Sequence, residues 1–270
     1  MATLEEVRAF WNRASCGEVY AGTGDDRAKY AEVSRARYAF EPYLQPFARF
    51  EEAAGKDVLE IGVGMGSDHQ MLALAGPRLL HGVDLTERAL EHVKARFAAF
   101  GLVSQLTLAN AEKLPFPDAS FDFVYSWGVI HHSPDTAQAA REILRVLRPG
   151  GVARVMIYHR NAPVGWMLWT RYALLRGRPW LSLTQVYARH LESPGTKAYR
   201  VREAEVLFAG AAMVTSQVEL SMGDLLEGAV GQNHRGWLLT LAKWLWPRKA
   251  LRLLARRWPI GLGLLLEIKR

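Results

Sequence analysis

Residues 57–76 read DVLEIGVGMGSDHQMLALAG: an apolar run ending in Glu60, glycines at 62, 64 and 66, then a helix-like segment. No other feature restricts the fold as strongly. Glycines at alternate positions let the backbone turn tightly and approach a ligand with no side chain between. Strand-to-helix turns of this kind serve several nucleotide-bearing ligands, so the stretch alone leaves the ligand open.

The segments beyond the turn settle the fold class. DVLEIG, LLHGVD, QLTLA, FDFVYS and VARVMIY read as strands, with helices SDHQMLALAG, ERALEHVKARFAAFG and DTAQAAREILRVLRPGG between them. Thr86 caps the second helix, and Pro149 with two glycines ends the third. Strands this apolar, alternating with helices, predict an α/β doubly wound, mostly parallel sheet covered on both faces. Ligands of such folds sit at the carboxyl ends of the strands. VREAEVLFAGA resumes as a helix, MVTSQVELS as a strand and GLGLLLEIKR as the seventh strand. Residues 1–50 read as a helical cap, 57–158 as the ligand-binding core, and 160–200 and 223–260 as two helical insertions in one domain, 1–270.

Charge separates the insertions from the body. The chain carries +7 overall, yet 160–200 hold seven Lys/Arg against Glu192 alone, and 228–257 hold seven and no acid. The remainder, with 20 basic and 26 acidic residues, is acidic. A single cysteine, Cys16, excludes an internal disulfide and fits a reducing compartment. The N-terminus has acids where a signal peptide has lysines. No stretch reaches the roughly 18 uninterrupted apolar residues of a membrane span. The chain reads as cytoplasmic.

A dinucleotide site uses G-x-G-x-x-G, whereas here the third glycine comes one residue early, and Glu60 would repel a pyrophosphate. A carboxylate there instead attracts an ammonium group. Asp84, 24 residues on, ends the second strand, where it accepts both hydroxyls of a ribose. With VLEIGVGMG, GVDLT, ANAEKLPFPDASFDFVYS and EILRVLRPGG in order over 57–158, the sequence resembles the class I S-adenosylmethionine-dependent methyltransferases, in their ubiquinone/menaquinone-type (methyltransferase domain 11-like) branch. The resemblance implies a Rossmann-like seven-stranded sheet, S-adenosylmethionine as cofactor and S-adenosylhomocysteine as product.

It also implies roles. Glu60 and Gly62, Gly64 and Gly66 face the methionine part of the cofactor, Asp84 the ribose and Leu85 the adenine. Asn110 stands where the family usually has Asp; its carbonyl still accepts from the adenine amino group. Ala111 offers its N–H to the ring, Ser126 and Trp127 line the sulfonium, and Tyr30 with Arg35 or Arg37 clamps the cofactor carboxylate. Glu112 and Asp122 are read as structural.

Methyl transfer needs alignment and exclusion of water, and a hydroxyl acceptor usually needs a base. Candidates are His131 and His132 after strand four, Tyr158 and His159 at the end of strand five, and Cys16 and Tyr20 in the N-terminal loop. Adjacent histidines point to different sides, so at most one of the pair faces the pocket. The competing reading for each is structural: a hydrogen-bonded core histidine, or a cysteine acting as a small hydrophobe. No N/D-P-P-Y/F/W tetrad follows strand four, no Pro-Cys nucleophile exists, and no carboxylate cluster suggests a metal.

The stretch 237–258, WLLTLAKWLWPRKALRLLARRW, reads as two short helices broken at Pro247, with Arg248, Arg252 and Arg256 in one stripe. It suits an anionic membrane surface, a lid over the acceptor or a homodimer interface, as does GWMLWTRYALL at 165–175. Nucleic acid is disfavoured because no recognised module accompanies the charge. The reading is an S-adenosylmethionine-dependent methyltransferase acting on a small or lipid-like acceptor, the receiving atom O, N, S or C. The alternatives are a catalytically silent cofactor-binding regulatory or scaffold protein, and a membrane-surface enzyme acting on a lipid or quinone-like substrate.

Overall fold

The computed structural model describes residues 2–227 and 244–270. Seven strands form one sheet: β1 (Asp57–Ile61), β2 (Leu79–Asp84), β3 (Gln105–Leu108), β4 (Phe121–Trp127), β5 (Leu147–Tyr158), β6 (Met213–Glu219) and β7 (Gly263–Lys269). Their order is β3-β2-β1-β4-β5-β7-β6. The first five pair in parallel, whereas β7 runs antiparallel to both β5 and β6. The apolar β1, buried throughout, lies at the centre, where a parallel strand needs both faces covered.

Helices cover both faces. α3 (Leu44–Ala48), α4 (Ser67–Leu74) and α5 (Glu87–Phe100) lie on one, with Leu44, Leu72, Val93 and Phe97 packed beneath them. α6 (Thr136–Val146) and α9 (Val201–Leu207) lie on the other, through Ala139, Ile143 and Ala204. α6 ends earlier than the sequence reading, because Leu147–Gly151 already belong to β5. Phe121 pairs with Leu147 and Phe123 with Val152, so the Pro149-Gly150-Gly151 run bulges out of the strand. Gly150 takes φ +80°, a left-handed value that glycine accommodates without a Cβ clash.

The N-terminal cap comprises α1 (Leu4–Arg13), α2 (Asp26–Phe40) and α3. The helical run of the cap breaks between α2 and α3. Pro42 disfavours helical backbone at Glu41, which takes φ −123° and ψ 64°. The first insertion contributes α7 (Pro163–Tyr172) and α8 (Leu183–His190), joined by a core that includes Leu168, Val186 and Tyr187. Within the second, α10 (Met222–Leu225) and α11 (Arg248–Ala255) are helical; the expected helix from Trp237 lies largely outside the described residues. No helix among the described residues is long and apolar enough to cross a membrane.

Candidate active site

The carboxyl ends of β1, β2, β4 and β5 open into one cavity of about 1540 Å³, roofed by residues of α1, α2, α7, α10 and α11. A single small-molecule pocket occupies roughly 300–1,000 Å³. The volume therefore has room for two ligands side by side.

At one end stands the glycine turn. Gly62, Gly64 and Gly66 take φ +82°, +49° and +75°. They differ in what a side chain would meet. A Cβ on Gly62 would lie 2.2 Å from Val129, so this glycine permits close packing of β1 against the loop after β4. A Cβ on Gly64 would meet nothing within 4 Å, and Gly64 lines the cavity. The bare backbone there faces the space where a ligand fits.

The two acids beside the turn are held in place. Asp84 Oδ2 accepts from the Gly64 amide at 3.2 Å, and Oδ1 from the Thr86 amide and hydroxyl at 2.9 and 2.8 Å. A carboxylate has about four acceptor sites, and three are filled, so the remaining one, on Oδ2, can take one ligand hydroxyl. Glu60 is buried, with His69 Nδ1 2.8 Å from its Oε2 and Ser104 Oγ 3.0 Å from His69 Nε2. Burial pushes His69 down to about 3 and the Glu60 carboxyl well up. The contact is a hydrogen bond within a buried pair in which burial disfavours the charged form of each partner.

Leu85, Asn110 and Ala111 line the same end. Asn110 Oδ1 accepts from the Glu112 amide at 3.0 Å, which fixes the amide orientation and leaves one carbonyl lone pair and the NH₂ group. An apolar slot flanked by an amide and a fixed carboxylate suits an adenosyl group in chemistry. Trp127 also lines the cavity, but Ser126 does not: successive strand side chains point to opposite faces, and Ser126 is buried on the other side.

The expected clamp is placed differently. Tyr30 is buried away from the cavity, beneath the Arg96 guanidinium and 3.3 Å from His92 Nδ1. Arg35 is exposed and bridges Glu32 at 2.7 Å. Arg37 instead enters the wall, bidentate to Asp68 at 2.9 and 2.5 Å and 3.5 Å from Glu41. Tyr38 and Tyr125 donate to the same Asp68 at 3.1 and 2.9 Å.

Beyond Trp127 the lining turns to Cys16, Tyr43, His132, Tyr158, Met167 and Glu192. Tyr158 Oη donates to Glu192 Oε2 at 2.5 Å, and His132 Nε2 lies 3.6 Å from the same oxygen. Ser193 Oγ stands 2.8 Å from His132 Nδ1. Burial, aided by the Lys197 charge, pushes His132 down to about 3. Burial pushes the Glu192 carboxyl up, and the Tyr158 hydrogen bond partly opposes this. Cys16 lines the cavity from an exposed position in the N-terminal loop.

Of the adjacent histidines only His132 faces the cavity. His131 is fully buried, its ring 3.9 Å from that of Tyr158, with neither nitrogen hydrogen-bonded among the described residues. His159 is buried outside the cavity, Nδ1 donating to the Gly261 carbonyl at 3.1 Å. Glu192, Glu41 and Tyr43 were not singled out from sequence as site residues. For Glu192 a signal existed, since it is the one acid in a basic segment. Among the described residues no group of His, Cys, Asp and Glu could hold a metal ion.

Residues 59–155 match the family model described as a methyltransferase domain. A probable S-adenosylmethionine-dependent methyltransferase of Mycolicibacterium smegmatis is 41% identical over 129 residues, 47% of this chain and 48% of its own. The 27-O-demethylrifamycin SV methyltransferase of Amycolatopsis mediterranei is 36% identical over 100 residues, 36% of this chain and 37% of its own. The chain thus spans about half or less of the length of these curated relatives. Among solved structures, an S-adenosylmethionine-dependent methyltransferase from Mesorhizobium loti aligns with TM-score 0.56 at 20% identity, covering 84% of this chain and 97% of that one. A Haemonchus contortus phosphoethanolamine N-methyltransferase 2, in complex with phosphomonomethylethanolamine and S-adenosylhomocysteine, aligns with TM-score 0.57 at 15% identity, covering 99% and 59%. These matches carry the class and not the ubiquinone/menaquinone-type branch. Over residues 59–155, with four ordered motifs and the sheet that carries them, the chain matches a methyltransferase domain and is similar to S-adenosylmethionine-dependent methyltransferases.

Proposed function

We propose that the chain transfers a methyl group from S-adenosylmethionine to a small or lipid-like acceptor carrying a weakly acidic O–H or N–H. One observation carries this reading: a cofactor-type end and a separate, mostly apolar end share one cavity of about 1540 Å³. Glu60, Gly64, Asp84, Leu85, Asn110 and Ala111 would hold the cofactor, with Arg37 and Asp68 closing that end. When bound, the cofactor supplies an electrophilic methyl carbon on a sulfonium whose sulfur leaves as a neutral thioether.

The chain itself aligns the acceptor, excludes water and takes up the proton the acceptor loses. The insertions shape the acceptor end through Met167, Leu168, Glu192 and Leu251. Glu192 is the proton acceptor. Its carboxylate lies in a mostly apolar cavity, and its fixed partner is the Tyr158 hydroxyl, with a neutral His132 beside it. Burial leaves it more basic than an ordinary carboxylate. Room for a second ligand favours an enzyme over a silent binding module.

Calorimetric titration with S-adenosylmethionine and S-adenosylhomocysteine, beside Asp84→Ala, tests the reading. Micromolar binding that the variant loses supports it and justifies screening acceptors by methyl-transfer mass spectrometry. Folded protein that binds neither ligand refutes it.

A further inference from the structure

Two segments flank the outer end of the cavity. Trp166, Arg171 and Leu175 line it from the first insertion, and Trp246, Pro247 and Leu251 from the second. Leu175 is 76% exposed and Trp166 52%, so the cavity opens to solvent here.

Around this mouth the surface departs from the rest of the molecule in two ways. Nine of the fifteen large hydrophobic residues exposed among the described residues fall in 166–180 or 244–258. They include Trp180, Trp244 and Trp258, and with Trp166 these are all the exposed tryptophans in that set. The same segments contain no acid. Exposed Arg171, Arg176, Arg178, Lys249, Arg256 and Arg257 form no ion pair among the described residues. In the same segments Arg248 and Arg252 pair with Glu227, so six of the eight cations there are unpaired; across the body Arg8, Arg35, Arg49, Arg78, Arg88 and Arg148 each pair with a carboxylate, while exposed Arg13, Arg27 and Lys94 do not.

We infer that this rim docks on an anionic lipid surface, seating the cavity mouth against the bilayer so that an amphiphilic acceptor enters without crossing water. Tryptophan suits the interface, with an apolar ring and a polar N–H. Unpaired arginines and lysines gain from the negative surface potential, whereas cations already paired to carboxylates gain little. At the C-terminal end of α11, Arg256 caps the helix one turn beyond the Glu227-paired Arg252, and Leu253 and Leu254 are exposed beside it, the arrangement of a helix end lying in the interface plane. The helix is short, so α11 acts with the 174–180 loop and not alone. The charge balance commits the surface to lipid phosphate over a protein partner, because a flat anionic plane satisfies scattered cations without matched acids. The inference rests on the proposed methyl transfer for the acceptor's entry, but the docking stands apart from it.

The test is sedimentation of the full chain with vesicles of phosphatidylglycerol and phosphatidylcholine, against phosphatidylcholine alone. The expected result is binding to the anionic vesicles, weakened at least tenfold by 0.5 M salt as screening shortens the reach of the cations (about 3 Å near 1 M). Arg176→Glu with Arg178→Glu, and separately Arg256→Glu with Arg257→Glu, should each weaken it at least tenfold. Trp180→Ser with Leu253→Ser should abolish the blue shift of tryptophan emission on vesicles. All keep S-adenosylhomocysteine binding, which shows that they fold. Absence of binding by protein that still binds S-adenosylhomocysteine overturns the docking and leaves the methyl-transfer reading standing. Equal sedimentation of the charge-reversal variants also overturns it, as does a stable dimer that shields Trp180 and Trp258 from quencher. Vesicle binding without S-adenosylhomocysteine binding would keep the docking and refute the enzyme.

Discussion

Tyr158 donates its phenolic hydrogen to Glu192 Oε2 across 2.5 Å, tying the end of β5 to the one acid of the basic segment 160–200. A half-buried carboxylate in a mostly apolar cavity holds its charge less well than one in water, and this donor favours the charged form. If Glu192 takes the acceptor's proton, activity rises as pH rises through its raised pKa. With the acceptor found by mass spectrometry, Glu192→Gln should lower kcat about 100-fold, within the range for general bases. S-adenosylhomocysteine affinity should stay unchanged. Tyr158→Phe should move the acid limb of kcat/KM upward, since it removes the group that lowers the pKa. A limb that moves down, or an unchanged kcat in Glu192→Gln, rejects the assignment.

Arg37 and Arg35 offer a direct contrast. Arg37 is bound to Asp68 in the cavity wall, and Arg35 lies in solvent against Glu32. Arg37→Met strands the buried carboxylate of Asp68 and removes the partner of the half-buried Glu41, which should cost about 3 kcal/mol in urea unfolding. Arg35→Ala should cost less than about 0.5 kcal/mol, as exposed pairs do, and should leave cofactor affinity intact. Equal effects of the two substitutions would contradict this placement.

The glycine turn predicts two different failures. Gly62→Ala brings a methyl group to 2.2 Å from Val129, on backbone at φ +82°. It should destabilise by 2 kcal/mol or more, roughly the left-handed penalty of 1–2 kcal/mol plus a clash. Gly64→Ala meets open space, so its stability cost is the left-handed penalty alone, about 1 kcal/mol. Its main effect is on the ligand, and S-adenosylmethionine affinity should fall at least tenfold. Thermal melts paired with calorimetry separate the two.

The fold was legible because its signals are periodic and local. Apolar strands, the Thr86 cap and the glycine turn each depend on residues within one element. So was the gathering of Glu60, Gly64, Asp84, Leu85, Asn110 and Ala111 at one end of the cavity, because they sit on backbone turns and strand tips. The misplacements have a common cause in side-chain direction. Arg35 and Arg37 lie two positions apart on one helix, about 200° around its axis, and only the packing of α2 on α4 decides which faces inward. Ser126 beside Trp127 obeys the same rule on a strand, where alternation excludes one of the two. Glu192 joins Tyr158 across 34 positions, through an insertion with no periodic link to β5. His69 under Glu60 had no sequence signal beyond its polar character in an apolar helix.

The last prediction concerns stability at the opposite end of the sheet. Asp57, at the start of β1, accepts from Arg78 at 2.7 and 2.6 Å and from Arg148 at 2.9 Å. The Arg78 hydrogen bonds, with help from Arg148, hold its carboxyl down at about 2, below the ordinary value near 4. A depressed carboxylate stabilises the fold fully above its unfolded pKa, and that contribution is lost as pH falls through the folded one. The window is therefore about pH 4 down to 2. Because Arg78 is largely exposed, screening reduces the contribution to about 1 kcal/mol. Asp57→Asn should lower stability by that amount at pH 7 and by nearly nothing at pH 2, read by urea unfolding at both pH values. A loss that persists at pH 2 would mean that the side chain acts through packing and hydrogen bonding, with its charge contributing little.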